Sequence, residues 1–464
     1  MIGSLKNIFS IPDLRKRVIF TFLLLAVYRI GAHIPTPGVN GAAVAEAFEA
    51  AKGTFLGFID MFTGGAMSQL TIFSLGIMPY ISASIILQLL TVVWPYLERL
   101  SKEGEMGRKK ITQYTRYGTV ILSVVQSLAI SLALEKLRSP RGIPFVPEDI
   151  RGWSFRLMTV LTLTTGTAFI MWLGEQISVR GIGNGISLII FAGIVVRLPG
   201  AVIETLGDLS TGAMSPLKLL LLLVLMVGVV AFIILVERGQ RRIPVSYAKR
   251  VMGRKVYGGQ TTQLPLRVNT GGVIPVIFAS AIVMIPQSLA TLFQNRFPAL
   301  GSVAAIFNYG EPVYNFLYIV AIIFFCYFYT AIIFNPIDVA DNMRKYGGFI
   351  PGIRPGKRTA NYIDHVLSRL TFVGAIYLAL IAVLPQFMMT GFKVQSLPWI
   401  GAWLDANLPA WSTEGLGVKF FFGGTSLLIV VGVAMDTVQQ IEAQLMMRHY
   451  DGFLKKGRIR GRRG

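Results

Sequence analysis

The stretch LGIMPYISASIILQLLTVVWPYLERLSKEGEMGRKKITQYTRY (75–117) decides the fold. From Ser74 to Trp94 the chain runs without a charge for about the 20 residues that a helix needs to cross a bilayer core. The gap 95–112 then carries Arg99, Lys102, Arg108, Lys109 and Lys110, and from Gln113 the sequence turns apolar again. A chain that crosses a membrane, turns in water and crosses back shows this pattern.

Working outward, the pattern repeats over the whole chain. Uncharged or nearly uncharged runs fall at about 18–34, 74–94, 113–134, 154–174, 185–203, 216–236, 273–293, 313–334, 370–389 and 417–435. Their Leu, Ile and Ala content lacks strand alternation, so they predict helices rather than barrel strands. Composition agrees with ten spans: of 464 residues 53% are hydrophobic and 14% charged, with mean hydropathy +0.61. The first run follows Lys6, Arg15, Lys16 and Arg17, which is the outline of a secretory leader. It extends to about Ile34 without a small-residue cleavage site, and is therefore read as the first span.

The net charge of +21 lies between the spans, in alternate gaps. The N-terminus, the gaps 95–112, 175–184, 237–272 and 335–369, and the tail after Asp436 hold about 30 Lys and Arg, against about 7 in the opposite gaps. Both termini are expected on the cytoplasmic side. The gap 136–152 runs against the rule, because it places Lys136, Arg138, Arg141 and Arg151 outside.

Two cytoplasmic gaps are long and basic. Glu237–Gly272 carries Lys249, Arg250, Arg254 and Lys255 among Val, Tyr and Thr, with Gly258-Gly259 suggesting a hairpin. Asn335–Ser368 carries Arg354 among Gly and Pro. Orientation needs few charges, so protrusions of this length suggest docking to something acidic, such as ribosomal RNA or an acidic protein face. The stretch DMFTGGAMSQLTIFSLG (60–76) is too short to span and too apolar for a free loop. It predicts a re-entrant half-helix held inside the protein.

Enzyme chemistry finds no support. His33, His365 and His449 are scattered, the single Cys326 sits in an apolar run, and Gly356-Lys357-Arg358 lacks the rest of a phosphate loop. No metal, cofactor or catalytic residue is expected. A secondary transporter would keep paired ionisable groups at mid-membrane, whereas Arg29, Arg156, Arg197, Lys218, Arg369 and Lys419 lie toward span ends, where snorkelling is the default. The weakly polar Ser82, Ser84, Gln88 and Thr162 to Thr167 suit helix packing or an uncharged conduit.

Stretch 75–117 resembles the SecY family, and so do RGIGNGISLIIFAGIV (180–195), RRIPVSYAKR (241–250), LPLRVNTGGVIPVIFASAI (264–282), GGFIPGIRPGKRTANYI (347–363) and GGTSLLIVVGVAMDTVQQIEAQLM (423–446). The resemblance covers essentially the whole chain, in order. It implies an all-α membrane protein whose ten spans form two pseudo-symmetric five-helix halves, 1–204 and 205–436, followed by a basic tail, 437–464. The halves would close like a clamshell around an hourglass pore. The implied function is a protein-conducting channel of the bacterial cytoplasmic membrane, which passes unfolded secretory polypeptides and releases membrane helices sideways into lipid. The implied partners are the membrane subunits SecE and SecG, the motor ATPase SecA, the ribosome, and signal sequences.

By the same resemblance, Ile77, Ile81, Ile186, Ile190, Ile277 and Ile429 form the pore ring. Ile77 with Ile81, and Ile186 with Ile190, are spaced to share a helix face. Met61, Phe62, Thr63, Gly64, Gly65, Ala66, Met67, Ser68, Gln69, Leu70, Thr71, Ile72 and Phe73 match the plug. Gln88 and Asn269 match the lateral gate, where mutual hydrogen bonds would hold the closed state; Lys249, Arg250, Arg254, Lys255 and Arg354 match the SecA and ribosome contacts.

Overall fold

Lipid offers a backbone no hydrogen-bond partner, so an apolar run must bond within itself. A helix overlaps each of the ten apolar runs in the computed structural model, which describes residues 11–50, 60, 63–212, 215–247, 250–252, 255–257, 261–293, 311–390 and 424–456. Among the described residues seven helices are long and apolar enough to cross a membrane, or eight if Met78–Val93 and Pro95–Lys102 count as one span bent by 98°. The bend falls at Trp94, whose extended backbone (φ −100°, ψ 113°) is what a residue before proline prefers.

Two compact units make up the chain: Met1–Ile203 with Val433–Gly464, and Glu204–Gly432. The first contains α1 (Pro12–Gly31), α2 (Gly41–Ala50), α3 (Met78–Val93), α4 (Pro95–Lys102), α5 (Glu105–Lys136), α6 (Trp153–Arg180) and α7 (Gly185–Val195), with α8 (Leu198–Ser210) running past its boundary. Helix α1 starts upstream of the apolar run, with proline in its first turn and Asp13 beside the positive end of the helix dipole. Hydropathy marks where apolar residues begin, not where the helix does.

Helix α5 packs against α3 and α6. Thr115, Thr119, Ser123, Ser127 and Ser131 form a buried stripe along it at every fourth position. Their hydroxyls are satisfied within the helix, as in Thr119 Oγ1 to the Thr115 carbonyl (2.7 Å) and Ser131 Oγ to the Leu128 carbonyl (2.8 Å). Small side chains of this kind let helices approach closely in lipid.

The gap 136–152 is less positive than its sequence suggested. Arg141 pairs with Glu46 at 2.8 Å, Arg138 and Arg151 approach Glu148 at 3.7 and 3.5 Å, and Arg156 forms a fork on Glu135 with its shortest contact at 2.7 Å. Local carboxylates hold most of the charge that departs from the orientation rule.

The second unit contains α9 (Pro216–Arg238), β1 (Gln240–Tyr247), β2 (Arg250–Met252), β3 (Lys255–Tyr257), β4 (Thr261–Arg267), α10 (Ile274–Phe293), α11 (Pro312–Ile333), α12 (Pro336–Lys345), β5 (Gly348–Phe349) and α13 (Lys357–Thr390). Helix α14 (Gly424–Lys456) begins in this unit and continues into the first. The expected hairpin is present: β1 and β4 pair antiparallel from Gln240↔Arg267 to Ser246↔Thr261, and between them in sequence β2 and β3 pair as a separate two-stranded sheet. Strand β5 adds to β1 at Tyr247↔Gly348, so the two basic gaps share one three-stranded sheet. Ile243, Leu266, Ile350, Ile363 and Val366 form its core.

Candidate functional site

The stretch 63–76 is a succession of turns, not the expected re-entrant half-helix. Gly64 (φ 66°), Gly65 (φ 90°), Leu70 (φ 44°) and Gly76 (φ 55°) lie in the left-handed region, and four such residues within thirteen break any α-helical ladder. The backbone is bonded locally instead. Gly65 N donates to the Asp60 carbonyl (3.0 Å), Thr71 N to Ala66 (3.0 Å) and Gly76 N to Phe73 (2.8 Å), while Thr36 N to Leu70 and Ile72 N to the Ile34 carbonyl join it to the chain after α1 at 2.9 Å each. Met61 and Phe62 lie outside the described residues.

The segment is buried within the first unit. Leu70 joins a cluster with Val44, Leu134, Phe145, Val146 and Phe155. Phe73 stacks between Tyr28 and Phe169, centroid distances 5.9 and 6.1 Å. At Gly166 on α6 an added Cβ would sit 1.9 Å from the Ile72 carbonyl oxygen, so the segment's main chain rests directly on the helix. Beside this contact, Val27, Ile30, Ile34, Ile72, Phe73 and Phe169 help line an apolar groove of about 400 Å³.

Two arginines flank Gly64-Gly65. Arg29 Nη1 donates to the Gly64 carbonyl (2.8 Å), and Arg197 forms an ion pair with Asp60, whose other oxygen accepts Ser68 N at 2.7 Å. The snorkelling expected of these side chains is replaced by contacts to one segment. Arg197 sits at the break between α7 and α8, inside the candidate span Gly185–Gly207. A carboxylate paired with a cation is what a transporter would use, but Asp60 is almost fully buried and divided between Arg197 and a backbone amide, which makes it an anchor. Composition did not point to it, because Asp60 stands outside every apolar run.

Among the ring candidates, Ile77, Ile81, Ile190, Ile277 and Ile429 are buried and Ile186 is half-buried. Ile77 precedes α3 and Ile81 lies in its first turns; Ile186 and Ile190 are one turn apart on α7, which Asn184 caps by accepting Ile186 N at 3.1 Å. Ile277 and Ile429 belong to the second unit, on α10 and α14. The two gate candidates find nearby partners. Gln88 Nε2 donates to Ser84 Oγ (3.3 Å), while Asn269 Nδ2 donates to Glu237 Oε1 (2.6 Å) and the Gly272 carbonyl (3.1 Å). Nothing in the spacing of 237 and 269 announces that contact.

Arg354 is exposed in the turn before α13, where its carbonyl accepts Thr359 Oγ1 at 2.9 Å. Arg250 stands opposite Tyr257, and Lys255 opposite Met252, in the β2–β3 register. Lys249 and Arg254 lie outside the described residues. Among the described residues no cluster of three His, Cys, Asp or Glu is placed to hold a metal ion.

The family profile SecY matches residues 71–438. The chain belongs to the SecY family. Among SecY proteins, "Protein translocase subunit SecY" of Escherichia coli K12 is 48% identical over 454 residues, 97% of this chain and 96% of that one. The protein of the same name from Aquifex aeolicus is 45% identical over 453 residues, 97% and 99% of the two chains, and that from Thermotoga maritima 43% over 465 residues, 99% of each. Solved structures share the SecY fold at lower identity. One described as a protein conducting channel aligns with TM-score 0.61 at 18% identity over 96% of this chain and 95% of that chain. Sec61 in the canine ribosome-channel complex aligns with TM-score 0.59 at 17%, with the same coverage. Residues 63–70 precede the SecY profile match, but the full-length relatives extend across nearly all of the chain.

Proposed function

We propose that this multi-pass membrane protein is the channel subunit of a bacterial protein translocase, which conducts unfolded polypeptides across the cytoplasmic membrane and releases apolar segments sideways into lipid. The observation that carries the reading is the plug-like segment 63–76, a non-helical chain buried among spans and anchored largely through its own backbone. A solute transporter places side chains around a substrate at mid-membrane. A removable backbone stopper suits a conduit for something as large as a chain. Family membership, and relatives named as translocase subunits, support the same assignment.

In this reading the six isoleucines form a dry gasket, since hydrocarbon side chains give an ion no substitute for its hydration while their rotamers adapt to a passing chain. Gln88 and Asn269 belong to the lateral gate. Arg354 and the hairpin present charge to SecA or a ribosome on the cytoplasmic side, where both termini lie, and SecE and SecG complete the membrane complex. No catalytic step is assigned to the chain itself; a partner or the membrane potential supplies the work.

The test uses the single native cysteine. With Cys326 replaced by serine, single cysteines at Ile81 and Ile277 are expected to crosslink to a precursor stalled halfway through the channel. A stalled precursor that reaches neither position would overturn the assignment.

A further inference from the structure

The basic hairpin and the candidate gate amide meet at one carboxylate. Helix α9 ends at Arg238 and β1 begins at Gln240, so Glu237 closes the last turn of the helix that carries the hairpin. On the returning side β4 ends at Arg267, Val268 N donates to the Gly239 carbonyl at 3.0 Å, and the next residue is Asn269. Asn269 is buried, and its amide donates to the Glu237 carboxylate oxygen Oε1 at 2.6 Å, a hydrogen bond assisted by the carboxylate's charge. That bond ties the two ends of the hairpin stalk together immediately below the ladder.

The stalk base is packed against a neighbouring helix. At Gly374 on α13 an added Cβ would lie 2.6 Å from the Val268 carbonyl oxygen, so the main chain before Asn269 rests directly on that helix. Beyond Asn269 the chain passes Gly272, whose carbonyl takes the amide's second bond at 3.1 Å, and enters α10, which carries Ile277. The described contacts at the stalk base are therefore the end of the ladder, the packing on Gly374 and the two bonds of the Asn269 amide.

We infer that Glu237 is a positioning residue for the gate: its carboxylate holds the Asn269 amide within the stalk, and docking of an acidic partner on the hairpin alters the gate through this bond. The inference rests on the reading of Asn269 as a gate residue. Loss of the bond frees the amide and lowers the barrier that a signal sequence must overcome, without touching the exposed docking surface.

The experiment compares Glu237→Ala, Glu237→Gln and Asn269→Ala in the complete membrane complex, matched for the amount of chain in the membrane. Transport of one precursor is measured with an intact and with a defective signal sequence. Glu237→Ala is expected to raise the ratio of defective to intact transport by roughly three- to tenfold. Glu237→Gln keeps an acceptor oxygen and should fall between Glu237→Ala and the parent, and it remains informative if the alanine variant fails to insert. An unchanged ratio in both Glu237 variants, with a raised ratio in Asn269→Ala, overturns the inference and leaves the gate reading standing. If Asn269→Ala also leaves the ratio unchanged, the gate reading fails and this inference fails with it. Equal loss of both transport rates, ratio unchanged, reduces Glu237 to a structural brace and overturns the inference.

Discussion

The stretch 63–76 and the described residues of 239–268 both interrupt the helices, and they satisfy their backbones in opposite ways. The first turns on itself, inside a helical unit, and takes its remaining bonds from the chain after α1 and from Arg29. The second extends into a β ladder with a small core of its own. The arginines around each, and Arg354 in the neighbouring basic gap, are used oppositely as well. Arg29 and Arg197 turn inward onto a carbonyl and a carboxylate, whereas Arg241, Arg242 and Arg354 are exposed and form no ion pair among the described residues. Non-helical chain at membrane depth must find fixed partners nearby. In water the same side chains stay available to a visitor.

The largest expected effect would test the exposed side of that contrast. Arg354→Glu should cut SecA-driven transport into vesicles by on the order of tenfold, the scale of losing one central docking contact, with the chain still present in the membrane. Normal transport would remove Arg354 from the docking surface.

The next probes the inward side. Gly166→Leu places a side chain where the Ile72 carbonyl already lies, and should displace the plug-like segment. The low end of an overpacking cost, about 1–1.4 kcal/mol once the segment relaxes, predicts a resting ion conductance in planar bilayers raised by about five- to tenfold. A tight resting bilayer would mean the segment does not seal.

Asp60→Asn keeps an acceptor for Ser68 N but removes the carboxylate facing Arg197. Part of the pair's strength survives as a neutral hydrogen bond, so the same conductance should rise only about threefold. A leak larger than that of Gly166→Leu would show that charge, not fit, holds the segment.

The smallest effect belongs to Arg241→Ala combined with Arg242→Ala. Thermal stability in detergent should not move, and the salt dependence of ribosome binding should flatten by about one unit of slope per arginine. A fall in stability would mean that these side chains serve the fold as well.

Much of this is legible in the amino-acid sequence alone. The uncharged runs predicted helices that the structure shows, because hydropathy and intrahelical bonding are properties of a local window. Gly258-Gly259 amid Val, Tyr and Thr pointed to the hairpin for the same reason. The sequence of 60–76 reads as neither loop nor span, but it does not announce the turns found over 63–76. A Gly-Gly pair permits either a kink or an irregular chain, and the choice came from Gly166 and the backbone after α1, residues far away in sequence. The carboxylates of the gap 136–152 were visible, but a positive-inside count does not know which Arg meets which Glu.

The sequence by itself determined that the chain lives in a membrane, where its apolar runs fall, which gaps are basic and which family it joins, since each follows from residue type and order. Only the tertiary structure decided that Asp60 and Arg197 anchor a turn segment, that Phe73 stacks between Tyr28 and Phe169, that β5 joins the two basic gaps, and that Glu237 holds Asn269. Each is a contact between residues far apart in the chain. The apolar pattern sets which segments bury but leaves open which side chains meet, and that is settled by shape and directional hydrogen bonding once the helices pack.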